Sequence, residues 1–174
     1  VYGEPMAERN TFACATCHAL EEPAGDGIRR VGHRLGDATR RPSYKNGFFT
    51  DMLDAVNSCL SGWMNAPEWQ ADTPEWVALH DWLDQQAPAG GAPALNFTIQ
   101  PPLADVTGGD GDAGHTLFNG SCVICHGVDA EGTVRAPALA GTGLQGEYIA
   151  LRVRTSGLAN SEVYEGLTGG IMPF

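Results

Sequence analysis

Positive charge is the first thing this sequence lacks. Ten Lys and Arg stand against twenty-one Asp and Glu, for a formal net charge of −11. That balance argues against nucleic acid and against anionic membrane surfaces as partners, because both select for clustered cations. Long apolar runs are missing as well, so no membrane span is expected. No charge run or low-complexity tract occurs, and no signal-peptide pattern opens the chain. What remains is an ordinary globular composition, 43% hydrophobic and 18% charged, with Gly 23 and Pro 11 on the high side. Such a composition suits small domains with long loops.

One motif occurs twice: Cys14-Ala15-Thr16-Cys17-His18 and Cys122-Val123-Ile124-Cys125-His126. C-x-x-C-H is the attachment signature of a c-type haem. Two thiols three positions apart at a helix start share one face, and each can form a thioether with a haem vinyl group. The adjoining His then points its imidazole at the iron from the proximal side. A redox disulfide or a zinc site would use C-x-x-C without needing a His beside each pair. The expected cofactors are therefore two covalently bound haem c groups, with iron held by His18 and His126. At 174 residues, with the motifs 108 positions apart, two small units are expected. Each is small for a self-sufficient apolar core, so the haem supplies buried surface as well as redox chemistry. Covalent haem attachment takes place outside the cytoplasm, so the expectation is a mature periplasmic chain whose signal has been removed. Four cysteines are used by the haems, and Cys59 is left over.

The helical signals are few and local. Thr50 opens a helix carrying Met52, Leu53, Val56, Cys59 and Leu60 on one face, and Gly62 ends it. Thr73-Pro74-Glu75 starts another, with Trp76, Leu79, His80 and Leu83 as its inward stripe. Residues 21–47 read as loop. Asp112 is a candidate cap for a helix running into the second motif, and residues 147–153 read as a short helix. The Pro/Gly/Ala-rich stretch 87–108 reads as a linker, stiff at Pro101-Pro102. The fold class is all-α: a first haem domain over 1–86, the linker, and a second haem domain over 109–174.

In the second domain, Gly111-Asp112-Ala113, Leu117-Phe118, Cys122 to Gly127, Pro137-Ala-Leu-Ala-Gly141 and Gly170-Ile-Met172-Pro173 follow one another as in class I cytochromes c, which this half resembles. The resemblance implies a cytochrome c-like fold, His126 as proximal ligand, Met172 as distal ligand, and Pro137 beside the imidazole. A Met thioether favours ferrous iron and raises the potential, which suits an electron carrier. The family continues past this Met with a further helix, and here the sequence stops at Phe174.

The first domain offers two sulfurs for the distal side of its haem. His18 to Met64 spans 46 positions, as does His126 to Met172, which favours Met64. The run Asp54 to Cys59, with Met64-Asn65 after it and Arg41-Pro42-Ser43-Tyr44 before it, resembles instead the N-terminal haem domain of dihaem thiosulfate dehydrogenases and related sulfur-oxidising cytochromes. That resemblance implies Cys59 as distal ligand of a catalytic haem. The family's Arg shortly after this Cys is replaced here by Leu60-Ser61-Gly62-Trp63. Cys59 can also be a small buried hydrophobe on the helix stripe. His33 or an open position is the third alternative.

Six basic residues, Arg29, Arg30, Arg34, Arg40, Arg41 and Lys45, fall within seventeen positions. They can neutralise haem propionates and nearby carboxylates, dock an acidic redox partner, or steer a small oxyanion. The leading functional expectation is a periplasmic dihaem electron carrier without substrate chemistry of its own, working between redox protein partners, either alone or as a subunit or module of a larger oxidoreductase. The alternative is a sulfur-compound oxidoreductase reacting at the first haem.

Overall fold

The computed structural model describes residues 1–5, 11–45, 47–62, 64, 66–95 and 103–155. The architecture is all-α: among these residues there is no strand, and a single isolated bridge joins Tyr44 and Phe49. The helices in order are α1 (Cys14–Cys17), α2 (Met52–Gly62), α3 (Pro74–Gln86), α4 (Gly111–Ser121), α5 (Val123–His126) and α6 (Gly146–Thr155). No helix among the described residues is long and apolar enough to cross a membrane. The residues group into two units, Val1–Gly25 with His33–Thr98, and Asp26–Gly32 with Ile99–Phe174.

The first unit has a protein core. Leu60 and Leu83, each 1% exposed, meet Leu79, Met64, Ala66 and Trp69, with Cys14, Leu20, Leu35, Val56, Trp76 and Trp82 packed around them. Burying one such leucine contributes roughly 2 kcal/mol. α2 begins one residue later than Thr50 would place it, because the Asp51 carboxylate accepts from the Leu53 N–H at 2.7 Å and so takes the capping role. α3 starts at Pro74 as expected, but the Thr73 hydroxyl serves the preceding turn and accepts from the Gln70 N–H at 2.8 Å. Asn57 fixes the chain after α2: its amide donates to the Trp69 carbonyl and its oxygen accepts from the Trp69 N–H. Tyr2 stacks on Trp82 at 5.0 Å and donates its hydroxyl to the His18 carbonyl at 2.6 Å, tying the first motif to α3.

In the second unit none of the described residues is buried. The cap of α4 is Asp110, not Asp112: the Asp110 carboxylate accepts from the Ala113 N–H at 3.0 Å. Asp112 lies in the first turn, where its charge still favours the helix dipole. α6 runs slightly beyond the expected 147–153.

Candidate haem sites

In the first motif the four-residue α1 presents Cys14 and Cys17 a turn apart, and the His18 N–H closes it on the Cys14 carbonyl at 2.9 Å. The loop that follows is positioned by backbone pairing. Leu35 N–H donates to the Ala19 carbonyl at 2.8 Å and Gly36 N–H to the Leu20 carbonyl at 2.9 Å. Only glycine tolerates this approach, since a Cβ at Gly36 would lie 2.5 Å from the Leu20 oxygen. The pairing carries the His33 carbonyl onto the His18 imidazole, whose Nδ1–H donates to it at 2.7 Å. That bond fixes the tautomer and leaves Nε2 as the lone-pair nitrogen, the atom an iron needs. Burial, more than any other influence, pulls His18 below its ordinary value, which favours the neutral ring over the charged one.

The second motif reaches the same arrangement by different means. α4 ends at Cys122, α5 carries Cys125 and His126, and Gly127 stops it at φ +75°. The chain then folds back: Gly132 N–H donates to the His126 carbonyl at 2.6 Å, and Leu139 and Ala140 both donate to the Ala130 carbonyl. Gly132 sits at φ +88°, where a Cβ would be 2.5 Å from the Ala138 nitrogen. The result puts the Pro137 carbonyl on His126, whose Nδ1–H donates at 3.2 Å. The Thr133 hydroxyl donates to the Cys125 carbonyl from the same loop. His115 and Asn119 on α4 both hold the Asp129 carboxylate, and the Asn119 oxygen accepts from the Asp129 N–H. They thereby support a left-handed residue (φ +53°) just past the motif.

None of the five cysteines is in a disulfide. Burial raises the Cys122 and Cys125 thiols, and it is the largest of the influences that raise Cys14, with a charge at Cys59 next. Cys59 is thus within electrostatic reach of Cys14, half-buried on α2. Met64 is 6% exposed in the cluster against which Cys14 packs, and its N–H bonds back to the Cys59 carbonyl at 3.1 Å. Both sulfurs in contention therefore lie on the side of the unit that holds Cys14. Met172 lies outside the described residues.

The surroundings fit a haem at each motif: paired thiols, a tautomer-locked imidazole and, in the second unit, apolar side chains left uncovered, including Leu117, Val134 and Val153. Sequence reasoning anticipated the Pro137 contact but missed its counterpart, the backbone of His33. The His33 ring stays an alternative for the distal side, and the His33 carbonyl is the group that touches His18. The only sequence signal for it was Gly36. The basic cluster is largely neutralised by carboxylates: Arg30 pairs with Asp26, Arg40 with Asp84, and Arg34 and Arg41 with Asp37.

Comparison with known proteins gives two findings. Residues 111–174 match the cytochrome c family. The chain is also 28% identical over 138 residues to thiosulfate dehydrogenase of Allochromatium vinosum, an alignment covering 73% of this chain and 48% of that protein. It spans about half the length of this curated relative. Together they support a haem-carrying, electron-transferring c-type cytochrome.

Proposed function

We propose that the chain is a dihaem c-type cytochrome that works in the periplasm, passing single electrons between redox protein partners, alone or as the cytochrome module of a larger oxidoreductase. The observation that carries this reading is the repeated imidazole clasp. In both motifs the Nδ1–H is held by a carbonyl from a downstream loop, at 2.7 Å for His18 and 3.2 Å for His126. Two unrelated loops converge on one arrangement whose use is to aim Nε2 at a metal. A haem iron held by a His and a sulfur ligand would supply one-electron chemistry between ferric and ferrous states. In this reading His126 and Met172 bind one iron, and His18 with Met64 binds the other.

A second reading is supported by Cys59 and by the named activity of the Allochromatium relative: oxidation of a sulfur compound at the first haem, with Cys59 in place of Met64. The two readings divide on one spectrum. The oxidised protein should show the near-infrared charge-transfer bands of His/Met iron only, and Cys59→Ser should leave them unchanged. Thiolate-type bands that vanish in Cys59→Ser, with steady ferricyanide reduction by thiosulfate, would establish the second reading instead. Haem content is the prior test: one haem per chain would end the dihaem proposal.

A further inference from the structure

The reading above leaves one buried group unused. The Arg41 side chain is 5% exposed and the Asp37 carboxylate beside it 8%. Arg41 Nη2 donates to Asp37 and also to the Arg34 carbonyl at 2.6 Å, while Arg34 Nη2 donates to the other oxygen of Asp37 at 3.0 Å. Both guanidiniums share the Asp37 carboxylate, and the Glu22 charge also acts on Arg34. The Arg41 Nε–H is buried and has no partner. A buried, charged donor without an acceptor carries its full desolvation penalty, so the site calls for an anion.

Its place in the fold says which one. The Arg34 carbonyl that holds Arg41 directly follows the His33 carbonyl that holds His18. Consecutive peptides of one loop thus fix the proximal imidazole and the buried guanidinium, and Gly36 sets the register for both. Two nearby groups are committed elsewhere: the Tyr44 hydroxyl donates to the Ala38 carbonyl, and Lys45 donates to Ser58. We propose that Arg41, braced by Asp37 and the Arg34 carbonyl, is the anchor for a propionate carboxylate of the haem at the first motif, with Nε–H as donor. A guanidinium suits this role because its planar donors match a carboxylate and stay charged at all working pH values. Arg41 is a positioning residue: it sets the tilt and the electrostatic surroundings of that haem without touching the iron.

This inference rests on the first motif carrying haem, so the experiment separates the two. Matured holoprotein is prepared as wild type, Arg41→Gln and Arg41→Lys. Haem per chain is counted, the propionate bending band is followed by resonance Raman, and the two haem potentials are resolved by redox titration. The expected result is two haems throughout, a shifted propionate band in both variants, and a lowered potential for one haem in Arg41→Gln. Arg41→Lys should keep more of that potential because it keeps the charge; the other haem should not move. Should Arg41→Gln fail to mature, a shifted band in Arg41→Lys alone supports the anchor. Two haems with unmoved bands and potentials in both variants would overturn it. A spectral change in wild type that follows added sulfate, vanishes in Arg41→Gln and leaves the propionate band fixed would overturn it too, assigning the site to a free oxyanion. One haem per chain would instead remove the reading beneath it.

Discussion

The two units share a motif and an imidazole clasp, but among the described residues only the first shows a buried core. In the first, α2 and α3 bury leucines, Met64 and Trp69 against the helix that carries Cys14. In the second, the described residues include no buried side chain, and Leu117, Val128, Val134, Ile149 and Val153 are exposed. The proximal geometry is therefore a local property, made by a short helix, a glycine and one returning loop. The core is a separate requirement, which the two units meet from different sources. In the first the protein supplies much of it; in the second a haem held by Cys122 and Cys125 would supply a larger share for the described residues.

The contrast can be broken most strongly by removing haem attachment. Replacing Cys122 and Cys125 by Ser should cost the second unit its protection against proteolysis altogether. The matching Cys14/Cys17 pair should leave a residual, helical first unit by circular dichroism and limited proteolysis. Equal loss in both would show that the buried leucines of the first unit are not self-supporting. Next in size, Leu60→Ala or Leu83→Ala should destabilise the first unit by about 3 kcal/mol in denaturant titration, with the transition of the second unit unmoved. Smaller and paired effects are expected at the glycines that seat the clasps. Gly36→Ala and Gly132→Ala should each cost about 1–3 kcal/mol and, on the dihaem proposal, perturb only the haem of their own unit, the Gly132 variant more because it adds a positive-φ penalty to its clash.

The smallest effect is an acid one. Burial would raise the Asp37 carboxyl, but Arg34 and Arg41 outweigh it and hold it below its ordinary value. A carboxyl depressed in the folded state adds stability that is complete above its unfolded value, about 3.9, and is lost as pH falls through the folded one. The first unit should weaken below about pH 4, and Asp37→Asn should flatten that dependence in thermal melts.

Much of this was legible in the sequence for physical reasons, and the rest was not. The C-x-x-C-H copies announce themselves because thioether and imidazole chemistry allow one spacing. The stripe of α3 follows from helical periodicity, and its start from Pro74, whose fixed φ suits a first turn. The missed features are ones in which side chains carry no information. The acceptor on His18 is a backbone carbonyl, which any residue at position 33 could supply. The choice of Asp110 over Asp112 turned on two acidic residues two positions apart, a difference finer than a capping preference can resolve. Cys59 and Met64 remained rivals because both sit on the side of Cys14, joined by one backbone hydrogen bond.

One feature of the fold bears on how such a protein can be taken apart. Residues Asp26–Gly32 belong to the second unit, where the Arg29 N–H donates to the Gly120 carbonyl at 3.0 Å, close to the Cys122 motif. The chain thus passes between units at 25–26, 32–33 and 98–99. The duplication seen in the motifs is not a pair of exchangeable beads on a string. A cut in the Pro/Gly-rich stretch would leave residues 26–32, which belong to the second unit, on the fragment that carries the first.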